Sequence, residues 1–257
     1  MRRCLKVDRM KNDSNPNLIK NNADDMACGS LPPKIATIQE SLNAEFPKTS
    51  ADLKCRATPI WKRSLDLLII AMLSPLLLPM MLLIACFIKC FSKGPVFFCQ
   101  QRLGYGGQFF KIFKFRTLKP EEYCVTSHHR QYVTQLMGSD AAAAKPDIRN
   151  RLILGGSFLR LASLDELPQL FNVLRGDMTI VGPRPDVLQW EDYKPWQRRR
   201  FEVTPGITGL WQVSGKNRLS FDEMIRLDIQ YTEKRSLQLD LWILWKTLAV
   251  VFRFSNK

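Results

Sequence analysis

The residues best suited to chemistry stand together in Ser163-Leu164-Asp165-Glu166-Leu167-Pro168-Gln169-Leu170. Two adjacent carboxylates open what reads as a helix. Basic residues flank them, Arg160 before and Arg175 and Arg184 after. An Asp at a helix N-terminus near arginines stays ionised and has the character of a nucleophile. A second carboxylate beside it, Glu166, suits a hard divalent cation such as Mg²⁺, which keeps several waters and binds phosphate oxygens. Arg160 and Arg184 suit a phosphate clamp through their planar forks. Carboxylate, Mg²⁺ and arginine are the requirements of phosphoryl transfer, where catalysis is mostly positioning and charge neutralisation. A structural reading competes. Ser163-x-x-Glu166 has the form of a capping box, and acidic residues favour the first helical turn. Leu164, Leu167, Leu170, Phe171 and Leu174 recur at helical spacing and would face a core. Pro168 fits only in or near the first turn.

The elements around this stretch must position it. Gly176 takes a C′ position that ends the helix, and residues 179–181 read as a short strand. Gly182-Pro183-Arg184-Pro185 then makes a rigid turn that would hold Arg184 at a fixed angle. Upstream, Gly94-Pro95 turns the chain, and Val96-Phe97-Phe98 reads as a short strand. Residues 102–107 read as a turn-rich loop. Residues 109–117 alternate apolar and basic, a half-buried strand with a positive face, on which Lys111 reads as a solvated position. Trp196-Gln197-Arg198-Arg199-Arg200 is a basic cluster, read as a solvated face or as a contact with lipid headgroups, each basic residue contributing about 1 kcal/mol near an anionic surface. The glycine-rich stretch 204–217 matches neither a dinucleotide fingerprint nor a P-loop. Ser220-x-x-Glu223 is a second capping box, opening a helix to about Glu233. Residues 237–252 carry Trp242 and Trp245 among aliphatics, broken by Asp240 and Lys246; the tryptophans favour an interfacial helix over a core helix.

Residues 67–88 run for 22 residues without a charge. As a straight helix they span about 33 Å, enough for a bilayer core of about 30 Å. On hydropathy alone this is a transmembrane anchor. Two features favour another form. Ser74-Pro75 lies in the middle and Pro79 follows one turn later, so a kink or break is expected. Basic residues flank both ends: Lys54, Arg56, Lys62 and Arg63 before, Lys89, Lys93 and Arg102 after. A spanning helix shows a bias to one side, whereas this pattern suits a hairpin that returns to the same leaflet. The freed backbone groups then need cover from Ser74 or from protein. Asp66 is expected to pair with Arg63, one turn earlier.

The net charge of +14 and the sequence pI near 9.7 call for an anionic partner. Candidates are phosphorylated substrates, an anionic membrane surface or nucleic acid, and no nucleic-acid-binding signature is present. The seven cysteines are odd in number and scattered, and read as reduced thiols. Residues 1–55 are polar and Asn-rich and read as mostly disordered, with a short helix conceivable at 35–46. Residues 127–137, with His128-His129, read as a surface helix, and 141–146 as a linker.

Ser163 to Leu170 (SLDELPQL), Asn172 to Pro185 (NVLRGDMTIVGPRP), Lys114 to Thr117 (KFRT) and Pro205 to Asn217 (PGITGLWQVSGKN) resemble the bacterial sugar transferases, the monotopic polyprenyl-phosphate phosphoglycosyl transferases. The resemblance runs from about Trp61 to Phe252. It implies an α+β fold: a re-entrant helix-break-helix at 62–91 with its break at Ser74 and Pro75, and a small cytoplasmic catalytic part at 92–254 with interfacial helices. It implies transfer of a hexose-1-phosphate from a UDP-sugar to polyprenyl (undecaprenyl) phosphate at the bacterial inner membrane, with release of UMP. Asp165 is the implied nucleophile and Glu166 the Mg²⁺ ligand. Lys114, Arg160 and Arg184 are implied to bind phosphate, with Arg116, Lys216 and Arg218 as weaker candidates. The implied pathway is exopolysaccharide, capsule or O-antigen synthesis. The expected partners are the two substrates and the membrane, with no nucleic acid; a homo-oligomer is compatible. Two rival readings stay open: a glycosyltransferase that releases UDP, and a non-catalytic basic membrane scaffold.

Overall fold

The computed structural model describes residue 47 and residues 49–119, 149–215 and 219–252. The readings made for 35–46, 127–137 and 141–146, for Lys216 and Arg218, and for most of 1–55 lie outside these residues. At the end of that N-terminal stretch, Leu53 is buried in a cluster with Leu103, Leu188, Tyr193, Phe201, Phe221 and Ile225.

The apolar stretch forms helix α1, Ile60–Phe91, 32 residues long. Among the described residues it is the one helix long and apolar enough to cross a membrane. It stays helical through Pro75 and Pro79, so the expected break is not a loss of helix. Pro75 has no N–H to offer the carbonyl four residues earlier, that of Ala71. The Ser74 hydroxyl donates to that same carbonyl at 2.9 Å, so the freed acceptor is satisfied locally. Buried positions lie towards the two ends: Lys62, Asp66 and Ile70 in the first half, Met81, Ile84 and Ile88 in the second. None of residues 71–80 is buried. Ile70 packs with Val173, Met178, Tyr231 and Ile243, whereas Met81, Ile84 and Ile88 pack with Phe115, Ile153 and Leu159. The expected Arg63–Asp66 pair does not form. Arg63 donates instead to the carbonyls of Val173 and Leu174, and Asp66 accepts the Ile180 N–H at 3.0 Å.

Strands β1 (Phe97–Leu103) and β2 (Phe109–Phe115) pair antiparallel, from Phe97↔Phe115 to Leu103↔Phe109. β1 runs past the end expected at Phe98. The turn begins only at Gly104, where Gly106 and Gly107 take left-handed φ of 63° and 70°. Helices α2 (Gly156–Leu161) and α3 (Gln169–Arg175) follow, and Gly176 ends α3 at φ 89°, as the C′ reading expects. β3 (Thr179–Val181) pairs parallel with β4 (Gly206–Thr208), which lies in the stretch read only as glycine-rich turns. A Cβ on Gly206 would collide with the backbone of Gly182, so these two segments approach this closely only through glycine. α4 (Leu210–Val213), α5 (Phe221–Lys234) and α6 (Leu237–Phe252) complete the body. The Ser220 capping box is present, with the Ser220 N–H donating to Glu223 at 2.8 Å.

α6 buries Asp240 and Ile243 and exposes Leu241, Trp242, Trp245 and Leu248. The basic cluster on the 3-10 turn Pro195–Glu202 is engaged largely within the fold, with Arg200 buried. Arg198 stacks over Trp190 at 4.9 Å, Arg199 meets Glu233 at 2.9 Å, and buried Arg200 meets Asp228 at 2.7 Å. Its charge is used internally.

Candidate active site

The two carboxylates are not inside a helix. They sit on a 3-10 turn, Leu164–Glu166, and α3 begins only after Pro168. Ser163, immediately before the turn, has φ 57° and ψ 20°, the one non-glycine with positive φ among the described residues. That conformation costs an L-residue on the order of 1 kcal/mol or more, and such strain concentrates at functional sites. The Ser163 side chain makes no cap hydrogen bond, so the capping box is absent. In the left-handed region its hydroxyl is not placed to serve the following turn, and Glu166 is engaged elsewhere. Leu164, Leu167 and Leu170 pack against core clusters. Phe171 and Leu174, expected to face the core, are 41% and 47% exposed, because α3 begins late and presents that side outward.

Glu166 is held by two cations. Lys114 Nζ lies 3.1 Å from Oε1, Arg184 reaches Oε2 at 3.0 Å, and a second Arg184 nitrogen bonds Oε1. Burial alone pushes the Glu166 carboxyl up, but Arg184 and Lys114 outweigh it and hold it well below the usual carboxylate range. Asp165 is half-buried, and among the described residues no hydrogen bond or ion pair engages its carboxylate. Burial raises it above an ordinary Asp; Lys114 opposes the rise, Glu166 adds to it, and Arg160 and Arg184 oppose it. The dyad thus divides into one carboxylate fixed in an ion cluster and one free carboxylate in a positive field. Replacing Lys114 with Met removes the strongest pull on Asp165 and shifts its titration to higher pH. The acid limb of the activity profile should then move upward, measurable as initial rate against pH. No movement would separate Lys114 from Asp165.

Arg184 is clamped at its backbone from two sides. Arg200 donates to the Arg184 carbonyl at 2.5 Å, and Arg102 donates to the Pro185 carbonyl at 3.3 Å. The Gly182 N–H donates to Thr208 at 2.8 Å and the Gly206 N–H to Pro183 at 2.9 Å, which tie the turn to β4. Lys114 is set by its strand. Phe98↔Lys114, Gln100↔Ile112 and Arg102↔Phe110 are directly opposed pairs, so Lys114 and Arg102 share one face of the hairpin. Asn172 fastens α3 to β2, accepting from the Phe113 N–H at 3.1 Å and donating to the Lys111 carbonyl at 2.6 Å.

The structure therefore brings together Asp165, Glu166, Lys114 and Arg184. Arg160 stands exposed near the end of α2 and acts on Asp165 through its charge. Arg116 is buried away from the dyad, donating to the carbonyls of Pro95 and Ser92 where the chain leaves α1. Arg175 pairs with Asp177 at 3.2 Å. Three supporting residues escape sequence reasoning: Arg102, Arg200 and Asn172. The alternation Phe98, Gln100, Arg102 carries the signal for the first; nothing local marks the other two.

Residues 57–254 match the bacterial sugar transferase family. The chain is 41% identical over 163 residues to the galactosyl transferase CpsE of Streptococcus agalactiae, covering 62% of this chain and 35% of that protein. It is 38% identical over 194 residues to the exopolysaccharide production protein ExoY of Sinorhizobium fredii, covering 75% and 85%. It is 38% identical over 217 residues to the UDP-glucose:undecaprenyl-phosphate glucose-1-phosphate transferase of Caulobacter vibrioides, covering 81% and 70%. The relatives thus range from proteins of similar span to one of which the chain spans about a third. The chain belongs to the bacterial sugar transferase family, and its dyad and cation cluster lie within the matched region.

Proposed function

We propose that this protein transfers a hexose-1-phosphate from a UDP-sugar to polyprenyl phosphate and releases UMP. The observation that carries the reading is the free Asp165 carboxylate beside a Lys114–Glu166–Arg184 cluster. In the first step an Asp165 oxygen attacks the phosphorus that bears the sugar. The P–O bond to UMP breaks and UMP leaves with that electron pair. In the second step an oxygen of the lipid phosphate attacks the same phosphorus, and the Asp165 carboxylate departs unchanged. Lys114 and Arg184 balance the charge of the reacting phosphates, and Arg160 adds to the positive field.

A divalent cation fits this donor set. Among the described residues no group of three metal-ligating side chains exists, so an all-protein cage is not available. Mg²⁺ needs only one or two carboxylates, with water and phosphate oxygens completing its shell. Glu166 stays ionised and would hold it, leaving Lys114 and Arg184 for the donor phosphates. Bound there, the ion would neutralise the diphosphate.

The membrane arrangement follows from α1. Both ends bury side chains in clusters of the catalytic part, and residues 71–80 between them bury none. That supports a re-entrant helix whose apex alone enters the bilayer from the cytoplasmic face of the inner membrane. The exposed Leu241, Trp242, Trp245 and Leu248 of α6 suit the same interface. A soluble donor and a lipid acceptor then meet at one surface. The name of ExoY supports a place in exopolysaccharide production, and that of the Caulobacter enzyme supports transfer of a sugar-1-phosphate to undecaprenyl phosphate. Membranes containing the protein, given Mg²⁺, polyprenyl phosphate and a panel of UDP-sugars, should release UMP. Release of UDP would instead establish a sugar-only glycosyltransferase, and no nucleotide from any donor would favour a scaffold.

A further inference from the structure

The first two turns of α1 hold both walls of the site without touching it. Arg63 donates through its two terminal nitrogens to the carbonyls of Val173 and of Leu174, the latter at 2.8 Å. These carbonyls belong to the C-terminal end of α3, the helix that the Asp165-Glu166 turn leads into. A cation there serves the Leu174 carbonyl, joins the Gly176 N–H on the Val173 carbonyl, and complements the negative end of the helix. One turn further, Asp66 accepts the Ile180 N–H at 3.0 Å. Lys62 meets Asp240 at 2.5 Å, and the Tyr231 hydroxyl lies 2.7 Å from Asp240 and 3.0 Å from the Val181 carbonyl. Ile180 and Val181 belong to β3, which runs straight into the Gly182–Pro185 turn and Arg184. The base of α1 therefore fixes the end of the dyad's helix and the strand that feeds the arginine.

We propose that Arg63 is a positioning residue for Asp165. The proposal rests on the phosphosugar-transfer reading above. α3 is only seven residues long, so a shift at one end carries to the other. Asn172 pins its middle to β2, and Arg63 pins its C-terminal end to α1. Without the Arg63 hydrogen bonds, α3 pivots on Asn172 and displaces the turn that carries Asp165. A displacement of about 1 Å at a reacting group costs about 100-fold in rate. Two carbonyls and two terminal nitrogens of one planar fork make this arrangement specific to Arg; Lys offers a single ammonium. The seat of the membrane helix in this way sets the distance between nucleophile and phosphate clamp.

The test uses the full chain in lipid nanodiscs, with UDP-sugar and Mg²⁺ but without acceptor lipid, and follows the first-turnover release of UMP. Arg63→Gln should lower the rate constant of release about 100-fold. Arg63→Lys should recover part of that loss. The half-saturating donor concentration, the amplitude per folded protein and the thermal midpoint should stay near wild type. A Gln variant with the wild-type rate constant would overturn the proposal. So would a lowered amplitude at an unchanged rate constant, which marks a residue needed only for folding. No UMP burst from wild-type protein would remove the underlying reading and the proposal together, whereas a wild-type burst matched by the variant removes only the role of Arg63.

Discussion

Replacing Asp165 with asparagine is expected to lower sugar-phosphate transfer by at least about 10³-fold while leaving the fold intact. The side chains are of equal size, so the 3-10 turn keeps its shape. Among the described residues no hydrogen bond or ion pair engages the Asp165 carboxylate, so none is removed. What disappears is the anionic oxygen that attacks phosphorus. The sign of the stability effect separates this from damage. Burial raises the Asp165 carboxyl above its ordinary value, with Lys114 opposing. A raised carboxyl makes the ionised group a net cost to the folded state above that titration. The amide carries no such cost, so the thermal midpoint at neutral pH should match or slightly exceed wild type. Wild-type activity in the variant, or a collapse of stability alongside the activity, would remove Asp165 from the nucleophile's role.

The second large effect is expected at Arg184. Replacing it with alanine should cost about 10² to 10³ in kcat/KM for the donor, the range found when one preorganised donor to developing charge is removed. The same change strips Glu166 of its bidentate partner and leaves it with Lys114 alone. Arg184→Lys keeps the charge but not the fork, and it gives up the bond to the Ile207 carbonyl, made at 3.2 Å in wild type. It should therefore fall between wild type and alanine. Steady-state kinetics at saturating Mg²⁺ checks this. A lysine variant equal to wild type would mean that charge alone matters and that the geometry of the Gly182–Pro185 turn does not.

The pair Asp165-Glu166 and the arginine between two prolines are legible in the sequence because their types are unusual together within a short span. Lys114 is legible through the KFRT motif that carries the family resemblance, and the strand expected around it exists. The division of labour inside the dyad is not legible. Ser163-x-x-Glu166 reads equally well as a cap, and only the left-handed Ser163 and the two cations on Glu166 decide against it. Arg102 and Arg200 read as flank and surface charge, because local sequence does not show that a distant turn needs its carbonyls held. β4 escapes for a related reason. Its three residues pair in parallel with a strand 27 positions earlier, and glycine content signals the close approach without naming the partner. In α1 the Ser74-Pro75 signal is read correctly as a proline defect in need of a hydroxyl, while the helix continues through it.

The most direct test of the account is the intact mass of the purified protein after brief exposure to UDP-sugar and Mg²⁺ without acceptor lipid. A gain of one hexose phosphate is expected, absent in Asp165→Asn, mapped by peptide analysis to Asp165 and discharged again when polyprenyl phosphate is added. A protein that turns over donor and acceptor but never carries that mass would contradict a covalent aspartyl route and leave direct transfer between the two substrates.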